Sequence, residues 1–317
     1  MKRYLVTGGA GFIGSHLVDA LIARGDRVVV IDDFSTGKAE NLPEDLPDHF
    51  HLIKADMREA AALQEALAGG LDGLFHLGAV ASVPKSVSDW VGTHGVNQTA
   101  FIQLLDALGK ARSGSPIPVV YASSAAVYGD PGSVTEPLVE TQPCQPQTPY
   151  GADKLACEYA ARVAGQIHGT PSFGLRFFNV YGPRQDPASP YSGVISIFRD
   201  RLKADLPVTI FGDGEQVRDF VFVGDVVSIL MAAMEKASVD APVSNVCTGR
   251  ATSVNELVRM LSQSLNRTPD ISYEKARSGD IRFSVGCHSI LKSQLYPDDL
   301  SRADDMISFE QGAKIFK

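Results

Sequence analysis

The opening of the chain, "RYLVTGGAGFIGSHLVDALIARGDRVVVIDD" (residues 3 to 33), constrains its fold more than any other stretch. A β-rich run stops in glycine. Apolar residues at helical spacing follow and end at Gly25, and a second apolar run closes on acids. Strand, glycine turn, helix, strand and acid within about thirty residues is the order that a dinucleotide site requires. Gly8, Gly11 and Gly14 give the spacing GxxGxxG, with Phe12 and Ile13 between the last two. Gly8 suits a tight turn, Gly11 leaves room for a pyrophosphate over a helix N-terminus, and Gly14 lets helix and strand pack closely. Asp32 ends the second strand, where a carboxylate accepts both hydroxyls of a ribose and repels a 2′-phosphate. Asp33 follows with no Arg or Lys immediately after it, so NAD is expected rather than NADP.

The alternation continues along the chain. "HLIKADMRE" reads as a strand ending at Asp56 and Met57, "LDGLFHLGAVAS" as another and "IPVVYASSAAVYG" as a third, with helical stretches such as "NQTAFIQLLDALGKA" between them. Strands alternating with helices give an α/β fold: a Rossmann-type doubly wound parallel sheet with ligands at the carboxyl ends of its strands. Asp56 stands at such an end, where it can accept from an adenine amino group. Leu77, Gly78 and Ala79 lie where a cofactor crosses the sheet. The sequence has no repeats or low-complexity tracts, and "VTEPLVETQPCQPQTP" reads as a lid segment near the substrate.

Composition narrows the partners. The 317 residues are 44% hydrophobic and carry a net charge of -8, which argues against nucleic acid or an anionic membrane as the main partner. Four dispersed cysteines without a CxxC pair argue against a metal cluster or a disulfide framework. The first apolar run breaks into glycines and is no signal peptide, and "FVFVGDVVSILMAAM" is too short to span a bilayer. A cytoplasmic protein is expected.

The chemistry is expected where Ser123 and Ser124 end a strand and where "TPYGADKLACEYAARVAGQIHG" opens a helix. Tyr150 and Lys154 stand i and i+4 apart and so share a face. A free phenol, with a pKa near 10, is a poor base at neutral pH, but an ammonium within reach stabilises its phenolate. Such a phenolate can take a proton from a substrate hydroxyl while hydride leaves the same carbon, and a serine hydroxyl steadies the developing oxyanion. By itself a YxxxK pair is commonplace on exposed helices; after a glycine-turn fold start and a strand-end Ser it reads as an acid–base pair.

The motifs "TGGAGFIG", "DMRE", "HLGAVASVPKS", "VNQTAFIQLLDA", "ASSAAVYG", "YGADK", "RFFNVYGPRQ", "IFGDGEQVRDFVFVGDVV" and "RSGDIRFS" run through nearly the whole length. In them the chain resembles the extended short-chain dehydrogenases/reductases, and within these the nucleotide-sugar epimerase/dehydratase family. The resemblance implies a Rossmann domain over residues 1–176, with a return segment near 208–230, and a smaller, interleaved α/β domain over 177–317 for a nucleoside-diphosphate sugar. Ser124, Tyr150 and Lys154 match the family's catalytic Ser/Thr, Tyr and Lys. Asn97, Ala122, Ser123, Phe177 and Phe178 match cofactor positions. Family members that remove water or carbon dioxide carry acids just after the catalytic Ser; Ala125 and Ala126 stand there, which leaves 4-epimerisation through a 4-keto sugar.

The family pattern also implies the substrate contacts: Ser82 in "SVPKS", Asn179 at the diphosphate, Val194, Phe211 at the uracil, Arg218 and Arg277 clamping the diphosphate, Asp280 at the ribose and Ser284 beside the sugar. A bland reading of Arg218 is an ion pair with Asp219 or Asp225. A small residue at 284 implies room for an acetamido group. UDP-GlcNAc/UDP-GalNAc are therefore the expected substrates, with UDP-Glc/UDP-Gal beside them. The resemblance further implies a homodimer formed through "NQTAFIQLLDALGKA" and the Tyr150 helix. Two departures stand out: Gly78 replaces a usual Ala, which loosens that wall, and "VGCHSILKSQLYPDD" replaces an acidic helix, with His288 expected to be solvated or packed. The rival readings are an epimerase of UDP-glucuronate or a 6-deoxy-sugar nucleotide, a net 4-ketoreductase, and a non-catalytic NAD sensor.

Overall fold

The computed structural model describes residues 1–44, 47–111, 115–132, 135–186, 193–276 and 280–295. The opening folds as strand β1 (Arg3–Thr7), helix α1 (Phe12–Ala23) and strand β2 (Arg27–Asp32). There follow β3 (Phe50–Lys54), α2 (Ala60–Leu67), β4 (Gly73–His76), α3 (Val83–Ser88), α4 (Trp90–His94), α5 (Ala100–Lys110) and β5 (Val119–Ser124). Next come α6 (Pro149–His168), β6 (Ser172–Phe177), β7 (Asn179–Tyr181), α7 (Val194–Lys203), β8 (Val208–Phe211), β9 (Val217–Arg218), β10 (Phe220–Phe222), α8 (Val223–Lys236) and β11 (Val243–Val246). The last elements are β12 (Thr252–Ser253), α9 (Val254–Leu265), β13 (Ile271–Glu274), β14 (Phe283–Ser284) and α10 (Ser289–Leu295).

Seven strands form one sheet in the order β11-β6-β5-β4-β1-β2-β3. The pairings β1–β2, β1–β4, β2–β3 and β4–β5 are parallel. This is the α/β doubly wound arrangement expected from the alternating apolar runs. Sequential connections leave β1 in one direction and β4 in the other, so a topological switch point lies at the carboxyl ends of these two strands. Leu5 and Val6 of β1 are both fully buried, because a central parallel strand has helices over both faces. One face packs Leu5, Leu74, Val119 and Tyr121 against Phe101, Leu104 and Leu105 of α5 and Cys157 and Ala161 of α6. Each large apolar side chain so buried contributes roughly 1.5–3 kcal/mol.

The chain divides into two compact units. The first comprises residues 1–127, 146–176 and 227–244, and the second 128–145, 177–226 and 245–317. Within the second unit β7 pairs with β10, β8 with β13, and β9 with β12 and β14. Its core joins Ile195, Phe198 and Leu202 of α7, Val208 and Ile210 of β8, and Leu257, Val258 and Leu261 of α9. The return segment differs from the expected 208–230. Residues 208–226 are committed to the second unit by these pairings, and the stretch that rejoins the first unit is 227–244. The "VTEPLVETQPCQPQTP" stretch is anchored where it is described. Leu138 exchanges backbone hydrogen bonds with Val285 and Cys287, and Asn245 Nδ2 donates to the Leu138 carbonyl.

Candidate active site

At the carboxyl end of β1 the chain turns through Gly8, whose φ is +72°. A Cβ on Gly14 would lie 2.1 Å from the Gly8 carbonyl oxygen, so the start of α1 approaches the turn too closely for any side chain there. The N-cap position of α1, Gly11, provides no side-chain cap. The first N–H groups of α1 therefore face the turn without a capping side chain, as an anion site requires. Across the turn, Asp32 accepts the Ala10 N–H through Oδ2 and the Phe34 N–H through Oδ1, at 2.9 and 2.8 Å. These two donors orient the carboxylate while burial pushes it above the usual carboxylate range. Gly37, which sequence reading missed, keeps the space beside it open: a Cβ there would stand 2.8 Å from Asp32 Oδ1.

The adjoining strand ends complete this crevice with some departures. Asp56 holds Arg58 in a two-oxygen ion pair that pulls its carboxyl below the usual range, so it is engaged locally. The wall at Gly78 is not loosened as expected, because the Met57 thioether fills the space an alanine would take, with Sδ 2.9 Å from a Cβ placed there. Asn97 spends both ends of its amide on the Val80 backbone and braces the loop after β4. It lies in a π-helical turn, Gly95–Thr99, between α4 and α5. His76 at the end of β4 contacts Thr7 Oγ1 through Nδ1 at 2.9 Å and stacks on Phe101. Burial, assisted by the Lys154 charge, pushes the His76 imidazole down to about 3.

The Tyr150 helix, α6, starts where its sequence dictates. Thr148 caps it by accepting the Gly151 N–H at 3.1 Å, Pro149 occupies the first turn, and Gly169 ends it at φ +63°. Ser86 Oγ accepts the Tyr150 N–H, tying this end to α3, whose own cap is the buried Ser82. A Cβ on Gly151 would meet the Ala126 carbonyl oxygen at 2.6 Å, so the helix begins directly against the turn after Ser124. Lys154, only 2% exposed, donates to the Ala122 carbonyl at 2.9 Å and lies 5.9 Å from the Tyr150 ring centroid. Ser124 Oγ accepts the Ala126 N–H at 3.1 Å, and among the described residues its own proton has no recorded acceptor. Ser123 differs from its expected role. Its hydroxyl turns inward and donates to Glu158 Oε1 at 2.5 Å, leaving Ser124 as the strand-end hydroxyl that can meet a ligand.

In the second unit, β14 runs parallel to β9 with Ser284 opposite Arg218. Arg218 donates through Nη1 to the Val217 and Ile281 carbonyls and through Nη2 to Asp280 Oδ1 at 2.5 Å. Its ion pair is thus with Asp280 and not with Asp219 or Asp225, and burial lowers its pKa. Asp219 instead accepts from Thr248, Gly249 and Gly286. Arg218, Asp280 and Ser284 come together. Phe211 ends β8, where Gln216 donates to its carbonyl, and Asn179 begins β7. Val194 opens α7, and Phe177 and Phe178, just ahead of Asn179 in the chain, are buried. Burial pushes the Asp225 carboxyl up to about 7. His288 packs against Gly249. Arg277 lies outside the described residues.

Sequence reading also missed Glu158, Arg176 and Asp153. Glu158 is bound by Arg176 through both carboxylate oxygens, and Asp153 Oδ1 meets His94 Nδ1 at 2.7 Å. The signal for Glu158 was its place one turn beyond Lys154 on the same helical face, which burial makes meaningful and spacing alone does not.

Comparison with known proteins gives a consistent picture. Residues 4–247 match the family described as the NAD dependent epimerase/dehydratase family. A UDP-glucose 4-epimerase of Mycolicibacterium smegmatis is 38% identical over 284 residues, which cover 89% of this chain and 88% of the relative. Among solved structures, a UDP-N-acetylglucosamine 4-epimerase of Methanobrevibacter ruminantium, in complex with UDP-N-acetylmuramic acid, superposes with a TM-score of 0.89 at 35% identity, covering 99% of this chain and 96% of that one. A UDP-glucose 4-epimerase of Thermotoga maritima with UDP-glucose gives the same TM-score and identity over 99% and 97%.

Proposed function

The chain belongs to the NAD dependent epimerase/dehydratase family, and on that premise we propose that it interconverts the C4 epimers of a UDP-hexose: UDP-GlcNAc and UDP-GalNAc, with UDP-Glc and UDP-Gal as further substrates. The cofactor is NAD. The residues present fit it: the Gly8–Gly14 cradle would be filled by any Cβ, the uncapped start of α1 offers N–H groups to a pyrophosphate, and the oriented Asp32 carboxylate suits ribose hydroxyls. When bound, the nicotinamide of NAD would supply a hydride acceptor and donor for C4 of the sugar.

The observation that carries the reading is the grouping of Ser124, Tyr150 and Lys154 at the end of β5 with Ala125 and Ala126 next in the chain. Tyr150 takes the proton of the sugar 4-hydroxyl and gives it back after the keto sugar has turned. Ser124 donates its hydroxyl proton to the same oxygen as charge grows there. The buried Lys154 ammonium is held at the Ala122 carbonyl, 5.9 Å from the Tyr150 ring centroid. Alanines at 125 and 126 supply neither an acid for a leaving hydroxyl nor a base at C5, so the chemistry stops at oxidation and reduction of one carbon.

In this reading the first unit binds NAD, and the second binds the nucleoside diphosphate through Asn179, Phe211, Arg218, Arg277 and Asp280. The protein acts in the cytoplasm as a homodimer. Four free cysteines accord with a reducing compartment. Among the described residues no helix is long and apolar enough to cross a membrane. The deciding experiment incubates the purified protein separately with UDP-GlcNAc, UDP-Glc and UDP-glucuronate, without added cofactor, and follows the C4 epimer. Conversion of UDP-GlcNAc is expected. Epimerisation of UDP-glucuronate alone would overturn the substrate assignment. Turnover that demands added NADPH would make the protein a net reductase, and inertness towards all three would leave an NAD sensor.

A further inference from the structure

On α6 the face that carries Tyr150 and Lys154 continues one turn later to Glu158. Two neighbouring residues of β5 are tied to this face, one through its backbone and one through its side chain. Lys154 Nζ donates to the Ala122 carbonyl at 2.9 Å, and Ser123 Oγ donates to Glu158 Oε1 at 2.5 Å. At its first turn α6 lies against the turn after Ser124, where a Cβ on Gly151 would meet the Ala126 carbonyl oxygen. Glu158 is closed on its other side by Arg176 of β6, whose Nε and Nη2 donate to Oε1 and Oε2 at 2.9 and 2.7 Å. The two side chains are 8% and 7% exposed, so the charges are taken out of water together. An ion pair this deep is weak evidence of added stability, because desolvation offsets its attraction. A requirement for register explains it better.

We propose that the Glu158–Arg176 pair positions the catalytic residues: it locks α6 onto β5 so that Tyr150 meets Ser124, and it does so with no net charge that would disturb the phenol. The inference rests on the reading of Tyr150 as the acid–base group. A shift of α6 by one residue, about 1.5 Å, would break both ties and separate Tyr150 from Ser124. Misplacement of that order costs about 10–100-fold in rate. Eight residues separate Glu158 from Tyr150, roughly 12 Å of helix. An unbalanced unit charge at that distance moves a titration by about half to one pH unit at an effective dielectric of about 20–40.

The other ionisable groups around this stretch are accounted for. Asp153 faces His94 of α4. Cys157 is pushed up to about 11 by burial, and Tyr121 of β5 is pushed up likewise. His76 of β4 is held neutral. Arg162 and Asp240 line an outer recess of about 380 Å³ that reaches Glu158.

The test uses the holoprotein with its bound cofactor and compares Glu158→Gln, Arg176→Met and the double variant. Both single variants are expected to lose about 10–100-fold in kcat with KM for the UDP-sugar changed less than about 3-fold. The acid limb of the kcat profile moves in opposite directions. Glu158→Gln leaves an unbalanced guanidinium, favours the phenolate and moves the limb to lower pH; Arg176→Met leaves an unbalanced carboxylate and moves it to higher pH. The double variant restores the limb while kcat stays low. Phenolate absorbance, with Tyr150→Phe subtracted, reads the same displacements without turnover. If the wild-type protein proves to be no epimerase, this titration still decides the positioning claim. Should Glu158→Gln not fold, Glu158→Asp keeps the charge and shortens the reach, so kcat falls and the limb stays. Wild-type kcat in the folded variants, or displacement of both limbs in one direction, overturns the inference.

Discussion

At the scale of the residue, what a side chain can do is set by the neighbours that packing brings to it: Lys154 is buried against the Ala122 carbonyl and beside the Tyr150 ring. Tyr150 and Lys154 were legible because a four-residue interval fixes a shared helical face whatever surrounds it. Spacing alone does not separate Ser123 from Ser124, which only the family resemblance told apart, since adjacent strand residues point to opposite faces and tertiary packing decides which face holds Glu158. The same holds for Ser284, whose small side chain gains meaning from its neighbour: β14 sets it opposite Arg218, which is itself bound to Asp280. A residue beside the proposed diphosphate clamp is well placed to limit sugar size. Ser284→Tyr is therefore expected to lower kcat/KM for UDP-GlcNAc by about 10–200-fold, the range that steric discrimination of small groups reaches. UDP-Glc turnover should change little, and paired kinetics on the two sugars check this. Equal losses on both, or none, would remove Ser284 from the specificity argument.

At the scale of the element, the glycine-turn unit and the Tyr150 helix were readable because each carries its own punctuation. Gly25 after α1, and Thr148, Pro149 and Gly169 around α6, act through local backbone geometry. The π-helical turn at Gly95–Thr99 was invisible, since it depends on Asn97 bracing Val80 and not on any local propensity. The short strands of the second unit were equally hidden. β8 pairs with β13 and β9 with β14, partners some sixty residues apart whose register no local pattern encodes. Gly151 shows how tightly an element can be seated. Its missing Cβ makes way for a backbone carbonyl, which cannot swing aside as a flexible side chain would. Gly151→Ala is expected to cost about 1–3 kcal/mol by overpacking, despite the better helix propensity of alanine. Urea titration measures that loss. Because the clash lies between α6 and the turn after Ser124, kcat should fall with it, and an unchanged or raised urea midpoint would refute the close-approach argument.

At the scale of the whole molecule, the sequence indicated a division near residue 176 from motif order, yet it misjudged which later segment rejoins the first unit. Pairing decides that: β8, β9 and β10, within residues 208–226, enter small sheets with β7, β12, β13 and β14, and 227–244 provide most of α8 and the lead into β11. The outer faces of α5 and α6 carry a further message. Ile102 is 46% exposed on α5, and Tyr159, Val163 and Ile167 are 61%, 48% and 66% exposed on α6. The three α6 residues recur at spacing four and form an apolar stripe on the helix face opposite to the buried Ala161 and Ala164. Single exposed apolar residues need no explanation, but a continuous stripe on one helix with a partner on the next marks a contact surface. A self-complementary dimer through these helices needs about 800 Å² from each copy, which two helices can supply. We therefore expect sedimentation at twice the 33.9 kDa chain mass. Tyr159→Glu combined with Val163→Asp should give monomers, since each dimer would bury four added acids around a symmetry axis. Bound NAD should be retained, because α6 meets Tyr150 and Lys154 on its other face. Wild-type protein that sediments as a single chain, or a double variant that stays dimeric, would mean that this stripe has another role.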